Sequence, residues 1–244
     1  MERITNLAEI EQYLVSISNI FKPKKLPKKV TESIAEAYEK DNLHLIAKIV
    51  ASHMQVGLKK YVLKVVPSGK SFKGPLATIA FRYCPDTFPR YDTREYAWLN
   101  PLIRIREHSL TNKDMLTVVL SHEFSHALMY GYHNEFAEQE RAVDLLPLFF
   151  GFTKEYRYRS YGYLLKHSWK NRRAVYSARA GYLTGEEVDY AIDFVILERF
   201  LQKLWILKYF LQKPLRHLLR MYHEYANVVV HEIDSQNPPI AEGF

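Results

Sequence analysis

The pentapeptide H-E-x-x-H, from His122 to His126, is the feature that most constrains this chain. Apolar residues recur every three or four positions around it, which predicts a helix over residues 114–131. Positions i and i+4 share one face of a helix, so both imidazoles can point at one ion. Glu123 is turned aside, where it can hold a water bound to that ion. The pattern is typical of zinc hydrolases and predicts one zinc ion as cofactor.

A catalytic zinc needs a third protein ligand and an open position for water. Asn134 can cap a second helix, predicted over residues 135–150. Glu140 and Asp144 are one turn apart on it and border its apolar stripe, so both can face the first helix. We predict Glu140 as the third ligand and Asp144 as the acid that orients a ligand histidine through its other ring nitrogen. The reverse assignment, with Asp144 as ligand, is the main alternative.

His133 is a further candidate ligand, because it follows the motif closely. A metzincin would have glycine at position 129 and histidine at position 132, where this chain has Met129 and Tyr132. That pattern therefore does not apply, and we interpret His133 as a turn residue.

The order of these motifs resembles that of the gluzincins, in which an H-E-x-x-H helix precedes a helix bearing E-x-x-x-D. Here the second motif is Glu140-Arg141-Ala142-Val143-Asp144. A later stretch, GYLTGEEVDYA at residues 181–191, is similar to one in a group of uncharacterised bacterial H-E-x-x-H proteins. The resemblance implies a zinc-dependent peptidase-like domain, with the two histidines and one of the two acids as ligands and Glu123 as catalyst. Pro147 departs from the pattern and predicts a kink or an early end of the second helix.

Length and composition favour a single folded domain with extensions. The chain has 244 residues, 48% of them hydrophobic and 14% aromatic, enough for a sizeable core. We predict an α+β fold, mainly helical, with a zincin-like small sheet beside the H-E-x-x-H helix and long C-terminal helices. The predicted divisions are an N-terminal helix and basic linker (1–30), a metallopeptidase domain (31–235) and a loose tail (236–244).

Periodicity and turn residues predict the remaining elements. Helices are expected at 7–20 and at 31–56, the latter interrupted near 41–42, and strands at 61–66, 76–83 and 98–106. Thr184 and Glu187 form a capping box that opens a helix to about residue 210, and Pro214 should separate it from a final helix.

Cysteine content and targeting signals bear on location. Cys84 is the one cysteine, which excludes an internal disulfide and a multi-cysteine zinc site. The N-terminus lacks a signal-peptide pattern, and no long apolar run predicts a membrane span. We expect a cytoplasmic protein.

The expected partner is a peptide or protein substrate. The net charge of +7 and the tyrosine- and arginine-rich residues 154–182 leave nucleic acid open as a second partner. The same segment could instead cap the zinc cleft or simply connect two elements. Alternatives to a metallopeptidase are a zinc-containing regulatory or binding protein and a metal-free helical protein with a coincidental motif.

Overall fold

Helices make up most of the described chain, and a small three-stranded sheet lies beside the helix that carries the H-E-x-x-H motif. The computed structural model describes residues 5–67, 75–160, 163–169, 172–178 and 182–236. Within these ranges it describes side chains except at residues 85, 158–178, 205–210 and 227–236. The predicted mainly helical α+β class is confirmed.

The helices are α1 (Leu7–Ile20), α2 (Lys28–Glu39), α3 (Leu43–His53), α4 (Arg94–Ala97), α5 (Lys113–Gly131), α6 (Glu140–Phe149), α7 (Thr153–Ser160), α8 (Gly185–Lys203) and α9 (Trp205–Gln236). The strands are β1 (Val62–Val66), β2 (Ala77–Ala80), β3 (Leu102–Arg106), β4 (Tyr163–Trp169) and β5 (Arg172–Ala178).

The central helix is α5, which is buried on nearly every side. Asn112 caps its start by accepting a hydrogen bond from the backbone N–H of Met115 at 3.0 Å, and this satisfies one of the unpaired donors of the first turn. Ser121 and Ser125 donate their hydroxyl hydrogens to backbone carbonyls of the same helix, so their burial leaves no polar group unpaired. Helix α5 packs against α3, α6, α7 and β2.

The three-stranded sheet has the order β1-β3-β2, with β1 parallel and β2 antiparallel to β3. Ile103 and Ile105 of β3 are fully buried and join the main core. Strand β2 lies at an edge, and its Ile79 pairs with Ile103. All three strands were predicted, although each is shorter than the sequence pattern indicated.

Helix α1 has the predicted bounds and packs against α6, α8 and α9. Its Ile10, Leu14 and Ile17 are fully buried and belong to the same hydrophobic core as α5 and α6. Arg141 of α6 pairs with both Glu9 of α1 and Glu187 of α8. The N-terminal helix is therefore part of the same hydrophobic core as the helices that follow it.

The basic linker between α1 and α2 packs on the end of α6. The backbone N–H of Lys24 donates to the carbonyl of Phe149 at 2.7 Å. Gly151 has a φ of +88°, and a Cβ there would lie 2.3 Å from the backbone nitrogen of Leu26. Only glycine fits this close approach, because it has no side chain and adopts a positive φ readily.

The prediction that the second helix starts at residue 135 is wrong, because α6 begins at Glu140. Asn134 accepts a hydrogen bond from the backbone N–H of Phe136 at 2.9 Å, so it organises a turn instead of capping the helix. Pro147 does not end α6 early, since the helix continues to Phe149.

The C-terminal helices also differ from expectation. The capping box of Thr184 and Glu187 is present, but α8 ends at Lys203. Helix α9 then runs through Pro214, so the predicted break at this proline is wrong. Contacts to α8 hold α9 on both sides of residue 214: Gln212 donates to Glu198 at 3.0 Å, and Arg216 forms a buried ion pair with the same Glu198 at 2.7 Å. None of the helices within the described ranges has the length and apolar content needed to cross a membrane.

Candidate metal centre

Helix α5 brings the two motif histidines to one side of the domain, as predicted. His122 and His126 are one turn apart, with ring centroids separated by 4.9 Å and planes at 85°. Each side chain is 13% exposed, so the rings lie near the surface without projecting into solvent. Their Nε2 atoms face the start of α6.

Glu140, the first residue of α6, supplies the third donor. Its Oε2 lies 3.1 Å from Nε2 of His122 and 3.6 Å from Nε2 of His126. The candidate donor atoms of the three residues all lie within 4.8 Å of one another. In a tetrahedral zinc site with bonds of about 2.0–2.1 Å, neighbouring donor atoms are about 3.4 Å apart. The three residues could therefore hold a metal ion.

Asp144 lies behind His122, away from the three donor atoms. It is fully buried, and its Oδ1 is 2.7 Å from Nδ1 of His122. Its Oδ2 accepts a hydrogen bond from the backbone N–H of Tyr182 at 2.7 Å. This carboxylate fixes the orientation of the imidazole and keeps a proton on Nδ1, so that Nε2 is the nitrogen available to a metal once its own proton has left. The geometry therefore favours Glu140 over Asp144 as third ligand.

Burial, hydrogen bonds and neighbouring charges shift the pKa values of all three candidate ligands. Burial alone would lower the pKa of His122, but the charge and hydrogen bond of Asp144, aided by Glu140, raise it to about 10. Burial lowers the pKa of His126. Hydrogen bonds from the two histidines hold the pKa of Glu140 at about 2. Glu140 is thus a carboxylate over the whole physiological pH range.

Glu123 is buried next to this group, between α5 and the sheet. Only 4% of the residue is exposed, and this desolvation raises the pKa of its carboxyl to about 7. The nearby His122 and a hydrogen bond from the backbone of Ile79 oppose that rise. A carboxyl with a pKa near neutrality can both accept and return a proton at physiological pH.

Two tyrosine rings border the histidines and were not predicted as site residues. Tyr182 stacks on His122 with centroids 6.0 Å apart, and Tyr130 stacks on His126 at 6.3 Å. Tyr130 follows His126 by four residues on α5, so helical spacing alone was sufficient to identify it. The position of Tyr182 depends on the turn into α8, for which the sequence carries no comparable signal.

His133 lies in the turn after α5, with a φ of +50°, and is outside the donor group formed by the described residues. The prediction of a turn residue is confirmed. His133 instead lines an open pocket of about 990 Å³, together with Arg90, Tyr91 and Tyr132.

The tyrosine- and arginine-rich segment forms α7 and an antiparallel hairpin of β4 and β5, in which Tyr163 pairs with Ala178. The predictions of a nucleic-acid surface or a cap over the cleft concern residues 154–182. Of the side chains that the structure describes there, Tyr156 is fully buried and Tyr182 lies against His122, while most of the other aromatic and basic side chains belong to residues 158–181. These side chains lie outside the described residues, and both predictions stay untested.

Comparisons of the chain with protein-family models, with curated proteins and with solved structures find no match.

Proposed function

We propose that this chain is a zinc-dependent metallopeptidase that hydrolyses peptide bonds. The observation that carries the proposal is the meeting of the donor atoms of His122, His126 and Glu140 within 4.8 Å of one another. The buried Glu123 lies beside them, and Asp144 supports the first histidine. The gluzincin resemblance implies the same residues, and it supports the proposal.

The proposed ligands are one carboxylate and two imidazoles, which leave an open position for water. Bound zinc would supply a water with a pKa of about 7 and would polarise the scissile carbonyl. The imidazole of His122 must present a deprotonated Nε2, and Asp144 maintains this tautomer through its contact with Nδ1.

Glu123 is the proposed proton carrier. Its carboxylate accepts a proton from the attacking water and then donates that proton to the leaving amine. In the zinc-free protein, burial raises the pKa of this carboxyl to about 7. The same carboxylate has a hydrogen bond with the backbone of Ile79, so the proton carrier is held against β2.

The position of β2 supports a peptide as substrate. This strand pairs only with β3 among the described strands, and it packs against α5. An extended peptide can pair with the free edge of such a strand through main-chain hydrogen bonds. Its backbone would then run past Glu123. A cytoplasmic location remains part of the proposal.

The direct test compares the wild type with Glu123→Gln and with a control, Glu138→Gln, at an exposed residue outside the donor group. Each protein is incubated with a peptide library, and new termini are identified by mass spectrometry, alongside zinc analysis. We expect Glu123→Gln to keep zinc and to lose at least about 100-fold in cleavage, since general acid–base catalysis contributes that much. Equal cleavage by both variants would refute the mechanism, and absence of cleavage by zinc-loaded wild type would favour a regulatory protein.

A further inference from the structure

Helix α9 carries a regular apolar stripe on a face that the described chain leaves open. The stripe consists of Leu211, Leu215, Leu218, Tyr222 and Tyr225, which follow one another at spacings of four, three, four and three residues. Four of these residues are between 36% and 71% exposed, and Leu215 is half-buried. Apolar residues at this alternation of three and four lie on one face of a helix, where they can pack against another helix, as along the seam of a coiled coil.

The opposite side of α9 is already occupied by contacts within the chain. Arg216 pairs with the buried Glu198, and His223 lies 3.1 Å from Asp193. These contacts fix how α9 is rotated against α8. The exposed α9 stripe is therefore a separate face, and polar pairs on the other side of the helix hold it outward.

Helix α8 extends this surface. Ile196 and Phe200 are one turn apart on α8 and are 47% and 55% exposed. Counting helical rotation from the α8–α9 contacts places both residues on the same side of the helix pair as the α9 stripe. Both helices therefore contribute exposed apolar residues to the same side of the pair.

We propose that this face binds a second copy of the chain, so that the protein is a dimer through α9. At roughly 200 Å² for a large apolar side chain, the α9 stripe, Met221 and the two α8 residues would remove roughly 700–800 Å² per copy from water. A stable interface buries about 800 Å² per partner. The exposed area thus matches what a dimer requires.

Charge is also compatible with self-association. The chain has a net charge of +7, so two copies repel one another wherever their charged side chains meet. The positions beside the α9 stripe carry no charge: Gln212, Leu219 and Ala226 lie on one side of it, where Gln212 donates to Glu198 of α8, and Met221 lies on the other side. A twofold-symmetric pairing of α9 with itself therefore brings apolar surface together without placing like charges opposite each other.

The experiment measures mass in solution by sedimentation equilibrium and light scattering over a range of micromolar concentrations. The wild type should have the mass of two chains, and Leu218→Glu should have the mass of one, because symmetry buries the new carboxylate twice. Leu45→Glu is the matched control, since Leu45 is an exposed leucine of α3, and it should stay dimeric. Circular dichroism checks that each variant is folded, and Tyr222→Gln replaces Leu218→Glu if the latter loses helix.

Three results would overturn the proposal. A monomeric wild type would exclude the dimer, and a dimer that survives both stripe variants would place the contact elsewhere. The third is a monomer that sediments with phosphatidylserine vesicles and loses this binding in Leu218→Glu. In that case a membrane surface, and not a second copy, covers the face.

Discussion

Asp144 and His122 form a buried pair in which one carboxylate oxygen lies 2.7 Å from the imidazole Nδ1. The second oxygen of Asp144 accepts a hydrogen bond from the backbone of Tyr182. The pair links three parts of the fold: α5, α6 and the turn that leads into α8. It also directs Nε2 of His122 toward Glu140.

This relationship predicts the effect of Asp144→Asn. The amide retains the size of the side chain but loses the charge that orients His122, so zinc affinity should fall about 10–100-fold. Competition with a coloured chelator measures this affinity. Asp92→Asn, a change at an exposed residue, is the control and should have no effect. Unchanged affinity in Asp144→Asn would show that the buried pair does not support the metal.

Zinc stoichiometry tests the third ligand. Wild-type protein should retain one zinc per chain after dialysis, while Glu140→Gln should lose most of it, because a neutral amide is a poor zinc donor. Glu138→Gln is the control, since this residue is exposed and is not part of the donor group. Elemental analysis of all three proteins gives the answer. If both variants lose zinc, the negative charge of this region, and not coordination by Glu140, determines zinc binding.

Zinc binding should depend on pH in a defined direction. Without zinc, the pKa of His122 is raised to about 10, so this imidazole is protonated at pH 7. Zinc must displace that proton, and affinity should therefore fall about tenfold for each pH unit below 10. Calorimetry in two buffers of different ionisation enthalpy counts the released protons. Identical enthalpies in both buffers would contradict the prediction.

The buried pair of His122 and Asp144 also affects the stability of the zinc-free protein. The folded pKa of His122 is raised above the unfolded value of 6.5. Its contribution to the free energy of unfolding is thus fully present below about pH 6.5 and is lost as pH rises through about 10. Urea denaturation of chelator-treated protein between these pH values measures the loss. Asp144→Asn should flatten this part of the profile, and an unchanged profile would assign the dependence to other groups.

Gly151→Ala should destabilise the fold by about 3 kcal/mol, from backbone strain and overpacking together. Its Cβ would lie 2.3 Å from the backbone of Leu26, and φ is +88°. Gly57→Ala is an informative comparison: φ is also positive, at +76°, but the nearest atom would be 3.5 Å away. This second variant should cost only about 1 kcal/mol, from the backbone conformation alone. If urea denaturation gives the same loss in the free energy of unfolding for both variants, the linker at Leu26 moves aside at little cost.

Local patterns were sufficient for much of the fold. The bounds of α1 and nearly those of α5 followed from apolar periodicity and capping residues, because these signals act within a few residues. The start of α6 did not, because the turn at Asn134 competes with helix capping there. The continuation of α9 through Pro214 did not follow from local patterns either, because packing of α9 on α8 outweighs the local cost of a proline in a helix.

The sequence alone determined the spacing of His122, Glu123 and His126, since the geometry of one helix sets their relative positions. It did not distinguish Glu140 from Asp144, which are one turn apart on the same helix. Only the packing of α6 against α5 decides which acid reaches Nε2 and which reaches Nδ1. The contact of Glu123 with β2 and the stacking of Tyr182 on His122 likewise depend on tertiary structure. These contacts join residues far apart in the chain, and the local spacing of apolar residues does not predict such contacts.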